Sequence, residues 1–288
     1  MAHTNFIITD EEIKQYIIYL RNEEKADNTL EKYERDIRAF WSFADGKPVT
    51  KETAIEWKVK LKDTHAVTSI NSMLAAINGF FAFFKIGIKV KPYKIQQQAF
   101  LPDKKDLSKE EYERLLKAAN TMKNERLFYI MQTLCSTGLR VSELKYITVE
   151  SVKLGQAVIT NKGKTRTVFI PDDLRKSLLQ YAKNHNITSE YIFITRKGKP
   201  LNRSDIWAQM KKLCALAEVD PAKVFPHNLR GLFARIFYSI DRDIIKVTNV
   251  LGHSSVNTAR LYVMENSIKH RKIVENLGLS RLKYEYFT

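Results

Sequence analysis

The sequence predicts a mainly α-helical protein with one small β-hairpin, divided into a helical N-terminal domain and a larger mixed α+β domain. Three observations carry this reading. Apolar residues recur at three- and four-residue spacing along most of the chain, behind Ser/Thr-x-x-Glu capping boxes. That periodicity lapses between about Lys89 and Asp106, where Pro92 and Pro102 stand among Lys and Gln residues. A pair of β-prone runs flanks a Lys-Gly turn in the second part of the chain.

Taken in order, Thr9-Asp10-Glu11-Glu12 caps a helix that carries Ile13, Tyr16, Ile17 and Leu20 on one face. Asn28 is placed to cap a second helix, with Leu30, Tyr33, Ile37, Phe40 and Trp41. A third helix is expected over residues 51–61 and a fourth over 68–84, with Ile70, Leu74, Ile77, Phe81 and Phe84 on one side. Residues 1–88 therefore read as a bundle of amphipathic helices. Its aromatic stripe belongs to a core and not to a surface for stacking bases. Residues 89–106 read as a linker. Ser108-Lys109-Glu110-Glu111 then opens the second domain, 107–288, with another capping box.

In that domain an apolar helical run spans residues 127–144. Residues 157–160 and 165–170 flank Asn161-Lys162-Gly163-Lys164 as a hairpin with a basic tip. A helix over 172–184, a short strand over 191–194, a turn at Lys197-Gly198-Lys199-Pro200 and further helices complete the pattern.

Composition narrows the function. The net charge is +16 over 288 residues, and residues 1–100 carry 15 Lys and Arg against 13 Asp and Glu. The positive field therefore lies almost wholly in the second domain, as suits nucleic acid or an anionic surface. Apolar stretches are short, well below the roughly 20 residues of a membrane span, and Asp10, Glu11 and Glu12 interrupt any signal-peptide pattern. A cytoplasmic protein is expected. Cys135 and Cys214 lie in apolar segments and read as buried thiols. Neither zinc-ligand spacing nor a carboxylate cluster for magnesium is present. Gly163-Lys164-Thr165 resembles the end of a P-loop, but Val158 stands where its first glycine is required.

One constellation concentrates chemistry: Arg140 with Glu143, then His227-Asn228-Leu229-Arg230, then Leu251-Gly252-His253-Ser254-Ser255, then Tyr262. Arginines grip phosphate oxygens, histidines move protons near neutral pH, and a tyrosine hydroxyl can form an ester to phosphorus. Each piece alone has a plain structural reading: an ion pair for Arg140 and Glu143, a solvated helix face for His227 and Arg230, a packing role for Tyr262. His227 and Arg230, three apart, share a helix face. His253 and Tyr262 are nine apart, about 13 Å along a continuous helix. Ser254 or Ser255 as an N-cap would break that helix and let both reach one cleft.

Thr137-Gly138-Leu139-Arg140-Val141-Ser142-Glu143-Leu144, the Lys-Gly hairpin, His-x-Leu-Arg and Leu-Gly-His-Ser-Ser followed by Tyr262 resemble the tyrosine recombinases, the phage-integrase and Xer family. The helical N-terminal region resembles the family's core-binding domain, so the resemblance spans nearly the whole chain. It implies a two-domain clamp on double-stranded DNA, a homotetramer on synapsed DNA, no cofactor and no metal, and a possible accessory directionality protein. It further implies that Arg140 and Arg230 hold a scissile phosphate, that Tyr262 attacks it, and that His227 takes the tyrosine's proton. Lys162 matches the general acid for the leaving oxygen, with Lys164 as the alternative; His253 would bond a phosphate oxygen and Glu143 would orient the shell. Integration, excision and Xer-type dimer resolution all use this chemistry. The competing readings are a silent DNA-binding protein of the same fold and a type IB topoisomerase. Gly231 departs from the family, which often has a second histidine there. The segment with Ile268, Ile273, Val274 and Leu277 suits a tail helix docking either in its own domain or in a neighbour's.

Overall fold

The computed structural model describes residues 6–95, 106–161, 163–187, 191–195, 198–199, 201–253, 255–263 and 275–276. The chain divides into two compact units, Met1–Gln97 and Gln98–Thr288.

In the first unit, α1 (Asp10–Asn22) opens on the capping box of Thr9 and Glu12 and buries Ile13, Tyr16, Ile17 and Leu20. α2 (Asp27–Ala44) corrects the expected cap: Ala26 is the extended N-cap, no side chain caps the helix, and Asn28 lies inside its first turn. Burial of Leu30, Ile37 and Phe40 stabilises that helix in place of a cap. α3 (Lys51–Lys60) starts at Thr50, whose hydroxyl accepts from the Thr53 N–H at 3.1 Å. α4 (Val67–Phe83) buries Ile70, Leu74, Ile77, Phe80 and Phe81. Phe40 meets Trp57 and Phe81 edge-on at 5.2 and 5.6 Å between centroids, so the aromatic stripe is core.

Beyond α4 the chain runs back along it. Asn78 donates to the Val90 carbonyl and accepts from the Val90 N–H, both at 2.9 Å. Asn71 makes the same pair of bonds with Tyr93, both at 2.8 Å. The two asparagines are about two helical turns apart and act as a side-chain ladder for an extended segment. Residues 89–95, read from the sequence as linker, are thus held against the helix.

In the second unit, α5 (Lys109–Thr121) opens on the Ser108 and Glu111 capping box and packs on α6 (Glu125–Thr137). α6 ends at Gly138, in the left-handed region, so the helix expected over 127–144 is broken. Arg140 is extended and heads a 3-10 turn, Val141–Tyr146. After α7 (Val149–Leu154), β1 (Gln156–Asn161) pairs antiparallel with β2 (Lys164–Phe169), in register from Gln156↔Phe169 to Asn161↔Lys164. Ala157, Ile159 and Val168 face the core while Val158 and Phe169 are exposed, as strand alternation requires. The strand expected over 191–194 is reduced to isolated bridge residues at Tyr191, which pairs with Thr148, and Ile194.

The remaining elements are α8 (Asp172–Asn184), α9 (Arg203–Lys212), α10 (Cys214–Ala217), α11 (Pro226–Asp241), α12 (Ile244–Leu251) and α13 (Val256–Val263). A main core runs through Leu115, Leu127, Met131, Ile159, Leu178 and Met210. A smaller cluster of Ala234, Val247, Leu251 and Ala259 ties α11, α12 and α13 together. Cys135 and Cys214 are free and buried, and burial pushes the Cys135 thiol up to about 12. Among the described residues no helix is long and apolar enough to cross a membrane, and no group of three or more His, Cys, Asp or Glu is placed to hold a metal.

Candidate active site

Arg230 anchors the site. Pro226 occupies the first turn of α11, where its missing N–H costs nothing, and Arg230 follows one turn later. The side chain is 1% exposed, so its charge needs full compensation. It donates to the Gly138 carbonyl, to the Leu251 carbonyl at 2.6 Å and to His253 Nε2 at 2.8 Å. The two carbonyls lie at the C-terminal ends of α6 and α12, where helix dipoles are negative. Burial, then Arg140, pushes the guanidinium down to about 10, which leaves it charged at neutral pH.

Arg140 is held differently. The break at Gly138 turns it out of the helix, and its side chain is 36% exposed. Glu143, 2% exposed, accepts from the Arg140 N–H at 2.8 Å and from its Nη1 at 3.0 Å. The same carboxylate takes a two-pronged fork from Arg166 on β2, at 3.1 and 2.7 Å. Burial would raise the Glu143 carboxyl, but the bonds from Arg166 and Arg140 outweigh it and hold the group below its ordinary value. Arg140 Nη2 also reaches the Gly252 carbonyl at 3.5 Å.

The predicted helix break lies between α12 and α13. Gly252 is left-handed, and the Ser255 hydroxyl accepts from the Asn257 N–H at 3.2 Å to start α13. Ser254 lies outside the described residues. The reversal returns Tyr262 to the cleft, where its hydroxyl is 2.9 Å from His227 Nε2 and its ring stacks on His253 at 5.5 Å. A Cβ at Gly231 would sit 3.3 Å from Arg235 Nη1 and 3.4 Å from the Tyr262 ring, so the position that departs from histidine lies directly under the tyrosine.

Both histidines are kept neutral. Partial desolvation, then Arg230, Arg140 and Arg203, lowers His227, while burial and then Arg230 and Arg140 take His253 to about 4. Because a guanidinium only donates, His253 Nε2 must accept from Arg230, and the ring proton sits on Nδ1. That Nδ1–H is buried and has no hydrogen-bond partner among the described residues.

Arg140, His227 and Arg230 line a cleft of about 600 Å³ together with Arg203, Trp207 and Phe225. Of the sequence-derived residues, the structure brings together Arg140, Glu143, His227, Arg230, His253 and Tyr262. Lys162 lies outside the described residues, and Lys164, the alternative, is exposed at the start of β2. Sequence reasoning missed Arg166, Arg203 and Trp207. Arg166 left one signal: it has the same strand parity as buried Val168, an inward position where a charge needs a partner. The site sets guanidiniums beside a tyrosine hydroxyl hydrogen-bonded to a neutral histidine, an arrangement suited to holding an anion.

The chain belongs to the phage integrase family. Residues 105–268 match the model of that family, and residues 13–85 match the model of the phage integrase N-terminal SAM-like domain. A tyrosine recombinase XerA from Pyrococcus furiosus is 27% identical, over 94% of this chain and 97% of the relative. The crystal structure of XerA recombinase matches with a TM-score of 0.53 at 24% identity, over 95% of this chain and 100% of that one. A lambda integrase tetramer bound to a Holliday junction matches with a TM-score of 0.72 at 17% identity, over 91% of this chain and 78% of that one.

Proposed function

We propose that the protein is a site-specific DNA recombinase that cuts and rejoins duplex DNA through a 3′-phosphotyrosyl intermediate. The observation that carries this reading is the Tyr262 hydroxyl 2.9 Å from His227 Nε2, beside the guanidiniums of Arg140 and Arg230. A free tyrosine has a pKa near 10, so ionising it at pH 7 costs about 4 kcal/mol. Transfer of its proton to neutral His227 as attack proceeds, within a cationic cleft, lowers that cost.

Tyr262 Oη attacks phosphorus and the bond to the 5′-oxygen breaks. Arg140 and Arg230 stabilise the charge on the non-bridging oxygens, with His253, bonded to Arg230, beside them. Lys162 supplies the proton that the leaving 5′-oxygen takes up. The phosphotyrosine keeps the energy of the broken phosphodiester, so a 5′-hydroxyl from another strand can reverse the step. Four copies on two duplexes exchange strands pairwise; the tetrameric arrangement of lambda integrase on a Holliday junction supports that assembly.

Incubation with a randomised pool of nicked duplexes tests this. The nick lets the short 5′-product diffuse away, so covalent complexes accumulate and survive denaturation, and sequencing the trapped DNA reads out the target. The native protein is expected to trap DNA and Tyr262→Phe to trap none. Absence of a complex with the native protein, or equal trapping by Tyr262→Phe, would overturn the reading.

A further inference from the structure

We infer that Arg166 is a positioning residue that fixes Arg140 in place by sharing the Glu143 carboxylate with it. The inference rests on the proposed strand cleavage for its main readout.

Three contacts of Arg166 lead to it. Its fork occupies both oxygens of Glu143, at 3.1 and 2.7 Å, a geometry that sets the plane of the carboxylate as well as its place. That carboxylate, in turn, is what the Arg140 N–H and Nη1 bond to. The stem of Arg166 lies on Gly252: a Cβ there would be 2.6 Å from Arg166 Cδ and 3.0 Å from its Nε. Gly252 is thus glycine both for its left-handed backbone and for the space this arginine occupies. Its carbonyl is the other acceptor of Arg140, at 3.5 Å.

Arg166 therefore touches both groups that hold Arg140, the carboxylate directly and the carbonyl through the glycine it packs on. Glu143 at 2% exposure cannot turn to water for alternatives, so its orientation depends on the two arginines. The Arg166 side chain is 14% exposed, and its Nε is buried without a partner, the geometry of a strut more than of a ligand-facing group. It joins β2, the 3-10 turn and the end of α12 through one guanidinium.

Arg166→Lys is the diagnostic variant, because it keeps the charge and loses the fork. With the duplex that the native protein traps, Arg166→Lys and Arg166→Met are both expected to slow covalent complex formation by about 10- to 100-fold. Affinity for the duplex should stay near native, and rates are compared well below the melting temperature of each variant, since loss of a partner to buried Glu143 lowers it. In an Arg140→Lys background either change should add no more than about twofold, since both act through one group. A native rate for Arg166→Lys would overturn the inference, showing that only charge matters. So would losses that multiply with Arg140→Lys, or a loss confined to DNA affinity. Orthovanadate binding to the free protein, followed by vanadium NMR, gives a second readout that needs no DNA. There both Arg166 variants should bind at least about fivefold more weakly than native; equal affinity overturns the inference. Failure of the proposed function appears in the native protein on DNA, and failure of this inference appears between native and Arg166→Lys.

Discussion

Arg140, Arg166 and Arg230 converge, with Glu143 bonded to the first two, and after burial it is arginine charge that lowers the two histidines. His227 titrates below its ordinary value of 6.5, so it is neutral at pH 7 and, in the proposed mechanism, takes the Tyr262 proton. As pH falls through that lowered value the ring protonates and can no longer accept. Cleavage measured at subsaturating DNA, which reports the free protein, should therefore stay level down to pH 6.5 and decline only below it. An acid limb centred above 6.5, or one unchanged in His227→Ala, would remove His227 as the base. At this scale the residues that the structure gathers around Arg230 were legible in the sequence because their types are distinctive. It concealed Arg166, since one arginine in a strand looks like surface charge until the fold points it inward. The sequence also suggested an ion pair of Arg140 and Glu143 on a helix. The pair is real, but Gly138 ends the helix first, and Arg140 stands on an extended residue.

Elements were legible where a local signal agreed with packing. The capping boxes at Thr9 and Ser108, the alternation of the hairpin and the break before α13 all have that agreement. They failed where the signal was incomplete: Asn28 is a good cap residue in a helix that starts before it, and residues 191–194 have strand composition but form isolated bridges and no continuous ladder. Residues 89–95 show a third case, since no periodicity marks a segment whose backbone bonds go to side chains. The Asn78 bonds to Val90 are in a region where Val90 is 2% exposed, so their loss leaves a buried N–H and C=O unpaired. Asn78→Ala should lower unfolding free energy by about 2 kcal/mol, read from urea denaturation of the whole chain. A change near zero would show that the ladder contributes nothing.

For the molecule as a whole, charge is divided unevenly: 33 Lys and Arg stand against 19 Asp and Glu after residue 100, and near balance precedes it. If DNA is the ligand, phosphate contacts release counterions and affinity must fall steeply with salt. Between 50 and 200 mM salt a loss of about 10³-fold or more is expected for six or more such contacts. A nearly flat salt response would place binding on apolar or base contacts instead.

The Tyr262–His227 bond has a further consequence for inheritance. On the proposed mechanism, the bond between the Tyr262 hydroxyl and His227 of the same chain predicts that each subunit cuts with its own tyrosine. A Tyr262→Phe subunit and an Arg230→Lys subunit therefore have nothing to lend each other. Two such alleles expressed together should fail to complement, and mixing the purified variants on the target duplex should restore no cutting. Restored cutting would mean that neighbours exchange tyrosines; without it, every working assembly must draw its cuts from intact copies alone.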